Sequence, residues 1–399
     1  MPRSLAQRLS SVVPSATLAM NARAQALRAS GIDVISFGAG EPDFDTPSNI
    51  RDAGKRAIDE GKTRYTPTVG IPDLRKAIAA ESTRRRSVVA APENVIVTVG
   101  AKSALFNFAF AAVEPGDEVI IPAPYWVSYP EQVRMAGGTP VYVPSTLESG
   151  WKISPRALAE ALTPRTKAFI LCTPCNPTGA AYTSTELAAL ADVLRRSDCW
   201  VVIDEIYSQL VYDGFEQRSL LTVAADLAER IVLVDGVSKT YAMTGWRIGW
   251  SIATSALTKA MDIVQGQGVS SPATICQYAA LEALTSPARD IEMMRNAFAA
   301  RRVRLRDGMC GFEGVRCALP EGAFYLFCDV RTWIGKHAGD RKLLDDVAIA
   351  EWLLDTAHVA VVPGGAFGAP GHLRLSYVVS DSQIDRALER IRAAVAALK

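Results

Sequence analysis

The sequence predicts an α/β fold: a mostly parallel central sheet flanked by helices, with a smaller α+β domain attached. Short apolar runs alternate with amphipathic helical patterns, as expected of strands buried on both faces of a parallel sheet. That alternation ends near Ser286, where a long helical pattern with a charged face begins and a different mixture of elements follows. The 399 residues, 49% of them hydrophobic, are also enough for two domains rather than one.

Taken in order, residues around Ala16–Ser30 read as an N-terminal helix that packs against the small domain. NVIVTV (94–99) is the first strand of the sheet and precedes the helical ALFNFAFAAV. DEVIIP (117–122) leads through a loop to TPVYVP (139–144), and KAFILC (167–172) precedes the helical STELAALADVLRR. CWVVID (199–204), RIVLVDG (230–236) and RIGWSIA (247–253) complete the set. From Ser286, SPARDIEMMRNAFAARRVRLRDGM reads as one long helix. A strand (AFYLFCDV), a helix (KLLDDVAIAEWLLD), two strands (VAVVPG and HLRLSY) and a helix from Asp381 follow. The expected domains are an N-terminal segment at 1–46 that packs with the small domain, a large α/β domain at 47–299 and a small α+β domain at 300–399.

Lys+Arg 43 against Asp+Glu 42 leaves a formal charge of +1, so no global field favours nucleic acid or membrane. The local run Arg84, Arg85, Arg86 reads as a solvated helix end. The start, MPRSLAQRLSSVVPSATLAM, holds no apolar core of signal-peptide length, and no uncharged run approaches a membrane span. Seven cysteines without regular spacing fit a reducing compartment, so the expected location is the cytoplasm. Cys172 and Cys175 form C-T-P-C, but there is no second C-x-x-C, and His337, His358 and His372 are scattered. These thiols therefore read as small loop fillers, and no metal site is expected.

Ligands of α/β sheets bind at the carboxyl ends of strands. Gly100-Ala101-Lys102, Tyr125-Trp126, Asn176, Asp204, Tyr207 and Ser238-Lys239 all fall there. Each has a plain structural reading alone: Trp126 as core, Asp204 as a helix N-cap, Asn176 as a turn former. Their convergence at the strand ends of one sheet points to a site. A lysine amine beside other cations has its charged form disfavoured and can attack a carbonyl. The fork of Arg247 suits a phosphate, and a helix start at Gly100–Lys102 offers N–H groups to the same phosphate. Asp204 could hold a protonated ring nitrogen. An aldehyde that carries a phosphate and a basic ring nitrogen meets all four demands, which describes pyridoxal 5′-phosphate (PLP).

The ordered motifs extend this reading. They are PSAT (14–17), GAGEPDFDTP (38–47), RYTPTVGIPDLR (64–75), VTVGAK (97–102), PYWVSYP (124–130), NPTG (176–179), DEIY (204–207), SKTYAMTGWRIG (238–249) and RLSY (374–377). With them the chain resembles, over nearly its whole length, the fold-type I PLP enzymes. Within these it is most similar to class I aminotransferases of the bacterial aspartate aminotransferase subgroup Iβ. The resemblance implies that Lys239 bonds the cofactor aldehyde and, once displaced by substrate, shuttles a proton between substrate Cα and cofactor C4′. It implies that Asp204 pairs with the ring nitrogen, that Tyr207 and Asn176 bond the phenolic oxygen, and that Trp126 stacks on the ring. Arg247, the Gly100-Ala101-Lys102 turn and Ser238 would hold the phosphate, and Tyr65 would reach the phosphate of a neighbouring subunit in a homodimer with shared active sites. Arg374 would clamp the substrate α-carboxylate, with Gly40, Trp126 and Asn176 beside it.

Two departures stand out. Many relatives carry a hydroxyl residue three positions before the lysine, where this chain has Gly236, so Ser238 or backbone is expected to compensate. Cys172 and Cys175 also stand where the family commonly has asparagines. In this subgroup a lysine at the place of Lys102, with Ser15 and Thr17, is associated with the distal carboxylate of a dicarboxylic substrate. The expected activity is thus ping-pong amino transfer from aspartate or glutamate to 2-oxoglutarate or oxaloacetate. Prephenate or aromatic aminotransfer, a PLP-dependent lyase on the same scaffold and a PLP-sensing regulatory domain remain as alternatives.

Overall fold

A computed structural model of the chain describes residues 6–87, 90–287 and 289–399. The expectations for the first five residues, and for Ala288 within the long helical pattern, lie outside these.

The large sheet has seven strands: β1 (Val95–Thr98), β2 (Glu118–Ala123), β3 (Thr139–Pro144), β4 (Thr166–Cys172), β5 (Trp200–Asp204), β6 (Ile231–Gly236) and β7 (Gly249–Ile252). Their order is β1-β7-β6-β5-β4-β2-β3. All run in one direction except β7, which lies antiparallel between β1 and β6. Every residue of β1 and β6 is buried, which is why these strands read as unbroken apolar runs rather than as alternation. The direction of β7 has a direct effect on the site. Because Gly236 pairs with Gly249, the connection 237–248 leaves and re-enters the sheet at the same end of the strands.

The helices that bear on the site and the small unit are α1 (Ala16–Ala29), before the sheet, α2 (Ala101–Ala112), between β1 and β2, and α3 (Arg289–Cys310) and α4 (Asp381–Val395), after it. The expected boundary at 299/300 falls within α3. The smaller unit carries a four-stranded antiparallel sheet, with β8 (Tyr325–Asp329) and β9 (His372–Ser376) at its centre. The N-terminal segment is tied to it: Ile35–Ser36 pairs in parallel with Val359–Ala360, and Arg23 on α1 bridges to Asp355 at 2.7 Å.

Local differences from the sequence reading have physical causes. The helix expected from Lys342 begins at Asp346, because Asp345 caps it by accepting from the Ala348 N–H. VAVVPG is divided: Val359–Ala360 pairs with the N-terminal segment, and Val362–Pro363 pairs with β9. The run Arg84–Arg86 is not a solvated helix end. Arg84 is exposed, but Arg86 is 4% exposed and bridges Glu205 at 2.8 Å and Asp235 at 2.7 Å. Arg85 adds a longer contact to Asp235, so the helix end docks through a buried ion cluster.

Among the described residues, no helix is long and apolar enough to cross a membrane. No group of three or more His, Cys, Asp or Glu among them could hold a metal ion.

Candidate active site

A 390 Å³ cavity opens where the carboxyl ends of the strands meet the N-terminal segment and the small unit. It gathers Ser15, Thr17, Gly40, Ala101, Lys102, Trp126, Asn176, Asp204, Tyr207, Ser238, Lys239, Arg247 and Arg374. Three candidate residues singled out in the sequence do not line it. Gly100 lies just behind Arg247, Tyr125 stacks on Tyr142, and Tyr65 is 94% exposed.

Lys239 leaves the end of β6 and donates through Nζ to the Gly40 carbonyl at 2.6 Å. Its pKa is lowered to about 8, chiefly by burial and also by the charges of Arg247 and Arg374, against the opposing pull of Glu41 and Asp204. A substantial fraction of neutral amine therefore exists near neutral pH. Asp204, the last residue of β5, is buried, and burial raises its pKa to about 6. Two donors limit that rise: the Tyr129 hydroxyl at 2.7 Å to Oδ2 and the Ile206 N–H at 3.2 Å to Oδ1.

Arg374 projects from β9, 2% exposed, and donates to Asn176 Oδ1 at 3.0 Å and the Gly38 carbonyl at 2.9 Å. Its guanidinium lies over the rings of Tyr325 and Phe367, and its buried Nε has no hydrogen-bond partner. Tyr325 in turn bonds the Tyr207 hydroxyl at 2.8 Å, and burial raises the pKa of both phenols.

Arg247 holds a left-handed backbone, with φ of 56°, and donates to the Thr244 carbonyl. A Cβ on Gly100, whose own φ is 77°, would come within 2.7 Å of Arg247 Nη2. The guanidinium thus lies against the N-terminus of α2, which adds its own partial positive charge. Gly236 has no room for a side chain: a Cβ there would meet Gly249 Cα and the Ile248 carbonyl at 3.0 Å. Ser238 is the hydroxyl that does face the cavity.

At the mouth, the Lys102 amine stands 4.9 Å from the Trp126 ring centroid, its pKa lowered by burial and then by Arg247. Ser15 caps α1, accepting from the Leu18 N–H at 3.4 Å. Thr17 Oγ1 is buried without a partner.

The sequence reading missed Tyr129 and Tyr325. Tyr129 sits inside the quoted PYWVSYP, so its motif was a usable signal. Tyr325 looked like an ordinary strand aromatic, and only the pairing of β8 with β9 brings it under Arg374. Cys172 lines the cavity, directly opposite Asp204 in the sheet, while Cys175 contacts the Pro124 carbonyl.

Residues 32–391 match the family described as aminotransferase class I and II. The chain is 48% identical to the aspartate/prephenate aminotransferase of Cereibacter sphaeroides, covering 99% of each. It is 46% identical to the aspartate aminotransferase of Geobacillus stearothermophilus, covering 97% of this chain and 98% of the relative. Among solved structures, it superposes on the aspartate aminotransferase from Rhizobium meliloti with a TM-score of 0.96 at 41% identity, covering 100% of each chain. It also superposes on that from Thermus thermophilus with maleate, with a TM-score of 0.92 at 45% identity, covering 98% of this chain and 100% of the other. The mostly parallel sheet flanked by helices is the fold-type I architecture, and the chain belongs to the class I and II aminotransferases.

Proposed function

We propose that this protein binds PLP and transfers the α-amino group of aspartate or glutamate to 2-oxoglutarate or oxaloacetate, working as a homodimer. One observation carries the reading: a half-buried amine with a pKa of about 8 shares a cavity with a carboxylate and two guanidiniums. The residues fit the cofactor. Arg247 and the α2 N-terminus, with the Ala101 and Lys102 amides, bring positive charge together without an anion, a place suited to a phosphate. Asp204 keeps a carboxylate at the depth where a ring N–H would be held, and Trp126, Asn176 and Tyr207 border the same space.

When bound, PLP supplies an aldehyde for the amino group and a ring that draws electrons from the substrate Cα. The chain supplies the rest. Lys239 Nζ, neutral in part at working pH, is the nucleophile and the base that moves a proton at Cα. Asp204, held ionised by Tyr129 and the Ile206 N–H, keeps a partner ring nitrogen protonated. Arg374 retains an unpartnered Nε for the α-carboxylate, and Asn176 and Gly38 fix its plane. Lys102, Ser15 and Thr17 stand ready for a distal carboxylate, with Thr17 Oγ1 already desolvated and unpaired. The relative solved with maleate, a dicarboxylate, supports this choice, and the name of the Cereibacter relative brings prephenate in as a second acceptor. The exposure of Tyr65 supports its service to a second copy.

The test is a single half-reaction. Holoenzyme mixed with excess L-aspartate, without a keto acid, should release one oxaloacetate per site as the cofactor aldehyde absorbance disappears. No conversion with aspartate or glutamate overturns the reading. Lys102→Ala should lower kcat/KM for aspartate by about 10- to 100-fold, the loss of one charged contact, while sparing alanine. Equal losses for the two amino acids would remove Lys102 from substrate recognition.

A further inference from the structure

The small sheet ends in a two-residue edge strand, Arg316–Cys317, paired only with β8. In that register Cys317 stands directly opposite Cys328. Their sulfurs are 2.9 Å apart, inside the contact distance of two unbonded sulfurs, and both are free thiols. Directly opposed residues of an antiparallel ladder have Cα atoms about 4.5–5.5 Å apart. That range lies within the window of about 4.4–6.8 Å that a disulfide requires. The backbone therefore already meets the demand of a covalent bond, and only side-chain torsions need to adjust. A third thiol, Cys310 at the end of α3, reaches the Cys317 carbonyl at 4.0 Å. Cys328 is buried, whereas Cys310 and Cys317 are partly exposed, so a reagent approaches from their side. None of the three lines the amino-transfer cavity.

We propose that Cys317 and Cys328 form a reversible cross-strand disulfide, a modification site whose oxidant is a low-molecular-weight disulfide of the glutathione class. Cys317 loses its proton, and the thiolate attacks one sulfur of the small disulfide. The small molecule's S–S bond breaks and one small thiolate leaves. Cys328 then loses its proton and attacks Cys317 Sγ, expelling the second small thiolate. Two protein thiols are oxidised and one small disulfide is reduced; the two protons given up finish on the two small thiols. The Cys310 contact lowers the Cys317 pKa, but contact with Cys328 and burial together leave it well above its ordinary value. Thiolate is thus scarce at neutral pH, and the reaction quickens as pH rises through the alkaline range. The product staples the edge strand to β8, the strand that begins with Tyr325 and faces Arg374 through the Phe327 pairing. It joins groups already in contact, so amino transfer continues.

The experiment equilibrates holoenzyme in glutathione buffers of rising disulfide fraction at alkaline pH, then traps free thiols by alkylation. Intact mass and unreduced peptide mapping follow. The expected product is lighter by two hydrogens, carries a Cys317–Cys328 linked peptide, unfolds at a higher Tm and reverts with dithiothreitol. Cys317→Ser and Cys328→Ser should each abolish the link, and Cys310→Ser should keep it. A link that joins Cys310, a stable glutathione adduct without a link, or full alkylation in oxidised glutathione alone would each overturn the proposal. Mapping of the unmodified sequence decides the matter even where the buried Cys328→Ser fails to fold.

Discussion

Asp204 and Glu205 are neighbours at the end of one strand, and they meet opposite fates. Glu205 turns to a closed cluster in which Arg86 bridges it and Asp235, all three nearly inaccessible. Asp204 turns to the cavity, where among the described residues neither it nor Lys102, Lys239, Arg247 or Arg374 makes an ion pair. One face of the strand end compensates its charges internally, and the other leaves them for a ligand. Burying a charge without a partner costs free energy, and here the cost appears as displaced pKa values for Lys239 and Asp204. The closed cluster holds the scaffold, and the open one faces the cavity where the proposed chemistry would occur.

If that division is right, damage to the two faces should separate activity from stability. The largest effect belongs to Lys239→Met, which removes the proposed nucleophile and base and should lower kcat by more than about 10⁴-fold in steady-state assays. Next comes Arg86→Met, which strands two buried carboxylates. Urea denaturation should show a loss of about 3–5 kcal/mol, with kcat per folded molecule nearly unchanged. A matching fall in kcat would mean that the cluster also positions Asp204.

Smaller is the gain from Lys239→Met in the cofactor-free protein. Folding lowers the Lys239 pKa from 10.5 to about 8, so the charged amine is what folding disfavours. The destabilisation is full below pH 8 and fades as pH rises towards 10.5. The variant should therefore be more stable by about 3 kcal/mol at pH 7 and equal to the parent above that range. No gap at pH 7 would show that the amine is better solvated than the cavity suggests. The smallest effect is that of Tyr129→Phe. Without that donor the Asp204 pKa rises beyond about 6, so the acid limb of the kcat profile should move up by about one unit, with about a 5-fold loss near pH 6. An unmoved limb would assign Tyr129 to packing alone.

Much of this was legible in the sequence, for identifiable reasons. Strands buried on both faces write themselves as apolar runs, so all seven strands of the large sheet were found. Motifs of fixed spacing at or beside strand ends marked Asp204, Lys239, Arg247 and Arg374 as candidates, and the fold brings all four to one cavity. Direction was less legible: nothing in RIGWSIA states that β7 runs against its neighbours. Nor does a run of three arginines reveal that its last member turns inward, because the acids that receive Arg86 lie just past the end of β5 and on β6, more than a hundred residues away. Tyr129 and Tyr325 share that difficulty, since a phenol in the core and a phenol bonded to a cavity residue look alike until their partners are placed.

The reversal of β7 has one more consequence. Gly236 and Gly249 are locked opposite each other, backbone against backbone, so neither end of the connection 237–248 can slip. That segment behaves as a ruler with nailed ends. The gap between the Lys239 amine and the Arg247 guanidinium is graduated in peptide units, so inserting or deleting one residue resets the scale, whereas changing a side chain along it does not.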